Sequence, residues 1–103
     1  MMQNEKIKRL LGLAARSGKI AVGEGRATDC IKNKRAHLVI VSEDASLNTK
    51  KKFKNSCEFY SVAITEYEDR YMLGRCIGRE FAVVIAIEDF NMAKGLTDVL
   101  NGQ

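Results

Sequence analysis

Two glycines, Gly23 and Gly25, lie one residue apart directly before a segment with helical periodicity. The stretch reads AVGEGRATDCIK from Ala21 to Lys32. The first N–H groups of a helix have no partner within the helix, and together with the helix dipole they attract anions. Glycine lets a ligand approach the backbone closely because no Cβ intervenes. The anion could belong to a nucleotide or to an RNA backbone, or the glycines could only form a tight turn.

A dinucleotide site is the first interpretation of this glycine pair. The fingerprint needs Gly-x-Gly-x-x-Gly between a strand and a helix, then an acidic residue about 20 positions later for the ribose. Gly23, Gly25 and Glu43 fit three of these places, but Thr28 stands at the third glycine. A β-branched side chain there hinders the close packing of helix on strand. No Walker-type phosphate loop occurs either, so we expect no nucleotide cofactor.

Residue types that support catalysis or metal binding are scarce. The chain has one histidine, His37, and its three cysteines are widely separated, without a Cys-x-x-Cys pair. Zinc sites usually contain such pairs. The acidic pair Glu43-Asp44 is more typical of a helix start than of acid–base catalysis. We therefore expect no enzyme activity, no catalytic residue, no metal, no cofactor and no small-molecule substrate.

Positive charge is concentrated in the first half of this 103-residue chain, whose net charge is +4. Residues 1–54 contain 13 Lys/Arg and 5 Asp/Glu, whereas residues 55–103 contain 4 and 8. Such asymmetry indicates a surface for a polyanion; a solvated polar surface is the alternative. Lys19, Arg26 and Lys32 surround the predicted helix start and are candidates for contacts with RNA phosphates.

A second basic segment, Asn48–Lys54, contains four lysines in five positions. Lysines at this density on a short helix could contact the backbone of ribosomal RNA, meet a protein partner, or form a solvated face. The sequence leaves these alternatives open.

Helices and buried strands alternate along the chain. Apolar periodicity and capping residues predict helices at 5–17, 24–34, from Asp44 or Ser46 to about 55, from a Thr65–Glu68 capping box to 74–78, and from Asp89 to about 100. Apolar runs predict strands at 19–22, 37–41, 59–64 and 81–87. No run approaches the roughly 20 residues that span a bilayer, and residues 1–9 do not resemble a signal peptide. The pattern predicts one domain over residues 1–103, an α/β fold with a three-layer α/β/α sandwich around a small mixed sheet.

Four segments in this order resemble a known family. They are Ser17–Ile20 followed by Gly23, then Ala36–Ala45, Leu73–Gly78 and Phe81–Ile87. Together they are similar to the kink-turn RNA-binding ribosomal protein family of the L7Ae type, and within it to the bacterial YlxQ-type branch. The resemblance covers nearly the whole chain. It implies the α/β/α fold, binding of structured RNA and no enzymatic activity.

The resemblance also implies a two-part RNA site. In the family, a loop at the start of the second helix reads the sheared G·A pairs of a kink-turn, and here it contains Gly23, Glu24, Gly25, Arg26 and Asp29. A second loop before the last strand packs against bases at the kink. It corresponds here to the three residues Arg79, Glu80 and Phe81. Phe81 could stack on an unpaired base or be the first core residue of its strand.

The first loop departs from the family's Gly-x-Asn-Glu-x-x-Lys pattern. Gly25, Arg26 and Asp29 occupy the Asn, Glu and Lys places. Gly25 has no side chain to read a base, Arg26 can only donate hydrogen bonds, and Asp29 would repel phosphate. These differences affect the predicted specificity for kink-turns but not the predicted fold.

From the resemblance and the charge pattern together we expect a cytoplasmic, monomeric RNA-binding protein associated with the ribosome or with translation. Its expected partners are structured RNA, ribosomal RNA in particular, and ribosomal proteins, with no membrane contact. The alternative is a protein-interaction module on the same fold that has lost kink-turn recognition.

Overall fold

Helices and strands alternate along the whole of the chain that the computed structural model describes, residues 2–102. In chain order the elements are α1 (Met2–Arg16), β1 (Ile20–Val22), α2 (Glu24–Lys32), β2 (Leu38–Val41), α3 (Leu47–Tyr60), β3 (Ala63–Glu66), α4 (Arg70–Cys76), β4 (Val84–Ile87) and α5 (Phe90–Leu100). Within these residues, no helix has the length and apolar character needed to cross a bilayer.

The four strands form one mixed sheet in the order β1-β4-β2-β3. β2 and β3 are parallel, whereas β4 runs antiparallel to both β1 and β2. Consequently β1, β2 and β3 all end at the edge of the sheet where β4 begins. We call this the upper edge and the opposite one the lower edge. The loop after β1 and the loop before β4 therefore meet at the upper edge.

Apolar side chains cover both faces of the sheet. All four residues of β2 and of β4 are buried, as their nearly continuous apolar sequences predict for central strands. On one face Leu11, Leu73 and Leu96 pack from α1, α4 and α5. On the other face Ile31 and Phe53 pack from α2 and α3. These layers confirm the predicted three-layer α/β/α sandwich around a small mixed sheet.

Two of the cysteines belong to this core. Cys30 and Cys57 are fully buried between the sheet and the helices α2 and α3. Burial raises the pKa of both thiols to about 11, and the charge of Glu88 adds to the effect at Cys30. Both thiols are therefore protonated at neutral pH, and they pack as small apolar groups.

The strand predicted at 59–64 is wrong, because α3 continues to Tyr60. The helix ends where Ser61 adopts a left-handed conformation with φ of 59°, and the strand itself is Ala63–Glu66. Aromatic residues at the end of α3 favour a strand locally. Packing of the helix face that carries Phe53 overrides this preference and extends the helix by about one turn.

The Thr65–Glu68 capping box is wrong as well. Thr65 belongs to β3, and Asp69 caps α4 instead. The Asp69 carboxylate accepts hydrogen bonds from the N–H groups of Tyr71 and Met72, both at 2.9 Å. The Thr-x-x-Glu motif occurs here by chance at the end of a strand. Three residues separate β3 from α4, so Thr65 is too far from the helix to cap it.

Of the two predicted caps of α3, Ser46 fills the role by accepting a hydrogen bond from the Thr49 N–H at 3.1 Å. Asp44 instead accepts from the N–H and Nε of Arg70, at 3.2 and 3.3 Å. Partial desolvation opposes ionisation of Asp44, but the hydrogen bonds and positive charge of Arg70 outweigh it and lower the pKa of this carboxyl. Asp44 thus ties the loop after β2 to the start of α4.

The last strand is shorter than predicted. It begins at Val84 rather than at Phe81, so Phe81 lies in the preceding loop and is 55% exposed. Gly74 in α4 explains the position of this loop. A Cβ on Gly74 would lie 2.5–2.7 Å from three backbone atoms of Phe81, so only glycine allows the loop to lie this close to the helix.

We expect Gly74→Ala to lower the free energy of unfolding by about 1–3 kcal/mol, because the helix or the loop must move to admit the methyl group. Urea denaturation followed by circular dichroism measures the change. The matched control is Gly95→Ala in α5, where the new Cβ would meet only Leu10, at 3.8 Å. That control should gain about 0.5–1 kcal/mol. Unchanged stability of Gly74→Ala would contradict the close packing against Phe81.

Candidate nucleic-acid interface

A groove of about 530 Å³ opens at the upper edge, between the start of α2 and the loop that connects α4 to β4. We call it the upper groove. Its lining residues are Val22, Gly23, Glu24, Arg79, Glu80, Phe81, Ala82 and Val83. Five of the ten site residues predicted from the sequence therefore lie together, and they come from both of the predicted loops.

Gly23 fixes the helix side of the groove. Its φ of 100° and ψ of 160° form a conformation that essentially only glycine adopts. Its N–H donates to the Val84 carbonyl at 2.9 Å, and its own carbonyl accepts from Ala27 at 2.9 Å. The N–H groups of residues 24–26 precede this first helical bond, and glycine offers no side chain to cap them. The start of α2 can therefore donate to an anion in the groove.

Gly25 follows in the first turn of α2 and is exposed. A Cβ there would meet no atom of the protein within 4 Å, and the φ of Gly25 is not in the left-handed region. Neither the backbone nor the packing therefore requires glycine, although glycine within a helix costs about 0.5–1 kcal/mol relative to alanine. The bare backbone leaves space for an external group beside the groove.

Glu24 is the acidic residue on the helix side of the groove, and α3 holds its carboxylate. Oε2 accepts a hydrogen bond from the Thr49 hydroxyl at 3.0 Å, and Oε1 lies 3.6 Å from Nζ of Lys52. We call this arrangement the Glu24 clasp. Lys52 offsets the negative charge, so the carboxylate repels a polyanion less than a free one would.

The other side of the groove is a loop with a fixed backbone. The Arg79 N–H donates to the Gly74 carbonyl at 2.9 Å, and the Ala82 N–H donates to the Arg70 carbonyl at 2.9 Å. Between these two bonds the side chain of Phe81 is more than half exposed. A large aromatic ring on a fixed loop beside an arginine suits stacking on a base and contact with a phosphate.

The remaining predicted residues lie outside the upper groove, except that Gly25 adjoins it. Arg26 and Asp29 line a separate cleft of about 210 Å³ together with Glu88. The Lys19 carbonyl accepts from the Glu88 N–H at 2.8 Å at the lower edge, and α2 ends there with Lys32. The directions of β1 and α2 determine where these residues lie, and spacing along the sequence alone does not reveal those directions.

The lysines of the Asn48–Lys54 segment divide between two surfaces. Lys52 joins the Glu24 clasp, whereas Lys50, Lys51 and Lys54 line a cleft of about 540 Å³ between α3 and the edge strand β3. We call it the α3–β3 cleft. Lys50 pairs with Glu66 at 3.2 Å. The apolar residues of the cleft are Val41, Leu47 and Ile64.

Sequence reasoning missed a third basic surface, a cleft of about 430 Å³ between α1 and α4. Its four cationic residues are Lys8, Arg9, Arg16 and Arg75. The recurrence of basic residues on both sides of Gly12 is a helical signal that could have revealed the α1 part. Arg75 joins it only through tertiary packing. We call this surface the α1–α4 cleft.

The part of the chain described here contains no group of three His, Cys, Asp or Glu residues that could hold a metal ion. The ring of His37 packs edge-on against Phe90, with centroids 5.8 Å apart. At the upper edge, Arg79 and the amides at the start of α2 can donate hydrogen bonds, and Phe81 can stack.

Comparison with known proteins shows several close relatives. The RNA-binding protein YlxQ of Bacillus subtilis (strain 168) is 45% identical over 92 residues, which cover 89% of this chain and 92% of the relative. The RNA-binding protein YlxQ of Enterococcus faecium is 36% identical over 98 residues, covering 95% and 94%. The chain is thus similar to these two proteins over nearly its full length.

Solved structures show the same fold. A protein of unknown function from Bacillus halodurans C superposes with a TM-score of 0.91 at 36% identity, covering 93% of this chain and 97% of the other. The Giardia lamblia 15.5kD RNA binding protein gives 0.82 at 18% identity, covering 98% and 87%, and supports the fold alone. The sequence profile of one family matches residues 5–96. The predicted family is therefore confirmed: this chain belongs to the ribosomal protein L7Ae/L30e/S12e/Gadd45 family.

Proposed function

We propose that this protein binds structured RNA of the kink-turn type through the upper groove, without catalysis, as a cytoplasmic, ribosome-associated factor. The observation that carries the proposal is the meeting of the glycine-rich start of α2 with the Arg79–Phe81 loop in one groove. The relatives named as RNA-binding proteins support it. Ribosomal RNA and ribosomal proteins are the partners that this function implies.

Each side of the groove contributes a different interaction. The N–H groups of residues 24–26 donate to phosphate oxygens or to acceptor atoms on base edges. Phe81 stacks on an unpaired base, and Arg79 donates to a phosphate or to a base. The positive first half of the chain supplies long-range attraction, so the affinity falls as salt rises.

The substituted positions of the first loop fit this function in part. Gly25 leaves the helix start open. Arg26 and Asp29 both line the cleft beside Glu88 rather than the upper groove, so the groove contains neither the donors of Arg26 nor the negative charge of Asp29.

We expect the protein to bind a kink-turn RNA more tightly than the same RNA with its G·A pairs replaced. Titrations at two salt concentrations measure both affinities. Phe81→Ala should weaken binding by about 1–3 kcal/mol through the loss of one stacked base. The matched control is Phe59→Ala, which removes a phenylalanine that is 81% exposed at the end of α3 near the lower edge.

Phe59→Ala should leave the affinity unchanged. Equal binding of both RNAs would contradict kink-turn recognition while leaving general RNA binding in place. Loss of affinity in both variants to the same extent would contradict the assignment of the RNA to the upper groove.

We expect Gly25→Ala to have opposite effects on the stability of the protein and on its RNA affinity. The new methyl group meets open space, and alanine favours a helix, so the stability should rise by about 0.5–1 kcal/mol. The same methyl group occupies the space that the RNA approaches, so RNA affinity should fall. Thermal unfolding and RNA titration of one sample measure both effects. Unchanged RNA affinity would show that the RNA does not approach the first turn of α2.

A second candidate function is recognition of an acidic protein segment at the α3–β3 cleft. The observation that favours it is the backbone of the edge strand β3. Tyr67 N–H donates to the Val41 carbonyl at 3.0 Å. In a parallel ladder the backbone groups of alternate residues face the neighbouring strand, so the N–H and C=O groups of Thr65 also face β2. Ile64 and Glu66 consequently direct their N–H and C=O groups to the open side. An extended peptide can pair with such an edge.

We expect a peptide of alternating glutamate and valine to shift the amide resonances of Ile64 and Glu66 in NMR spectra if this second function holds. Replacing two cations at the cleft, by Lys51→Glu with Lys54→Glu, should abolish the shifts. Lys94→Glu near the lower edge is the matched control and should preserve them. Shifts that persist in the double variant would contradict a role for the lysines.

A further inference from the structure

The α1–α4 cleft contains four cations and no carboxylate. Its lining residues are Lys8, Arg9, Gly12, Arg16, Met72, Arg75 and Cys76. Among the residues that the structure describes, none of the four cations forms a salt bridge. Glu5, one helical turn before Arg9, does not come within 4 Å of it. Four like charges around one cleft repel one another unless an anion balances them.

Cys76 does not supply the balancing charge. Burial raises the pKa of its thiol above the ordinary value, and the charges of Lys8 and Glu68 act on it in opposite directions. The thiol is therefore neutral at physiological pH and does not offset the charge of the four cations.

Gly12 lies between the cations on α1, three residues after Arg9 and four before Arg16. The three residues thus share one face of the helix. A Cβ on Gly12 would meet the end of the Arg16 side chain at 3.2 Å and the Cys76 carbonyl at 3.5 Å. The end of the Arg16 side chain therefore lies over Gly12, and an alanine would have to displace this mobile group. Glycine lets Arg16 and the end of α4 lie close to the backbone of α1.

Arginine matches phosphate oxygens with paired N–H donors. The glycine at position 12 leaves room for the guanidinium of Arg16 to lie in the cleft. Arg9 and Arg16 are seven residues apart, or about 10 Å along the helix. The cleft is therefore long enough to contact more than one phosphate of an extended strand.

The cleft and the upper groove lie on two sides of one turn of α4. Gly74 packs against the backbone of Phe81, which lines the groove, and the next residue, Arg75, lines the cleft. An RNA in the groove can thus continue around the end of α4, where Arg79 follows.

We infer that the α1–α4 cleft binds the phosphate backbone of an RNA segment that flanks the segment held in the upper groove. The inference rests on the proposed RNA-binding function. An acidic protein is a poorer occupant, since the apolar part of the cleft is limited to Met72 and Cys76.

The test compares two RNAs, a kink-turn with short stems and the same kink-turn with both stems lengthened by one helical turn. The double variant Arg9→Gln, Arg16→Gln should lose more affinity for the long RNA than for the short one. The slope of log affinity against log salt should fall by about 2 more with the long RNA than with the short one. Lys50→Gln with Lys54→Gln in the α3–β3 cleft removes the same charge and is the matched control, which should change both affinities by the same small factor.

Gly12→Ala provides a variant that does not alter charge. The methyl group displaces the end of Arg16, so it should lower the affinity for the long RNA only. Unchanged affinity for the long RNA would overturn the contribution of Arg16 to the cleft. Circular dichroism of each variant shows whether it is folded.

The outcomes separate this inference from the proposed function. If Phe81→Ala weakens binding of both RNAs and the arginine variant weakens binding of neither, the proposed function holds and the assignment of RNA to the cleft is overturned. If the arginine variant weakens binding of the long RNA while Phe81→Ala weakens binding of neither RNA, the cleft binds RNA but the groove proposal fails, and with it the claim that the two sites hold adjacent segments. Inorganic tripolyphosphate is the probe for a small anion. Its binding at micromolar concentration, with no effect of stem length on RNA affinity, would assign the cleft to a small phosphate and overturn the RNA assignment.

Discussion

The antiparallel position of β4 between β1 and β2 is the constraint on which the upper groove depends. Because β4 starts where β1 and β2 end, the loop before β4 and the start of α2 must face each other. The hydrogen bond from Gly23 to Val84 joins the two sides directly. A parallel β4 would begin at the lower edge, and the Arg79–Phe81 loop would then be separated from the glycines by the length of the sheet.

Periodicity and apolar runs predicted the layers well, since a helix face or a strand buried on both sides leaves a repeated signal in the sequence. They failed where local preference opposes tertiary packing, as in the aromatic end of α3, and where a short motif such as Thr65–Glu68 occurs by chance. The glycine-rich start of α2 was recognised as an anion site from its own residues, and the Arg79–Phe81 loop was identified through resemblance. Asp29 lies outside the groove and Arg75 lies beside α1 because of how separate elements pack. Spacing along the chain does not encode this packing.

Three glycines in helices illustrate different physical requirements. Gly74 is required by the protein itself, because the backbone of Phe81 occupies the place of a side chain. Gly12 lies under the end of the Arg16 side chain and beside the Cys76 carbonyl, so a methyl group there would displace a flexible neighbour rather than backbone. Gly25 alone faces open space, so its helix carries a cost in stability without a packing reason.

The Glu24 clasp connects surfaces that otherwise belong to different layers. Lys52 and Thr49 are on α3, beside the lysines of the α3–β3 cleft, while Glu24 borders the upper groove. Lys52 itself lines neither cavity. Through Thr49 and Lys52 the position of α3 instead fixes the carboxylate at the rim of the groove, so a shift of this helix would move a negative charge beside the start of α2.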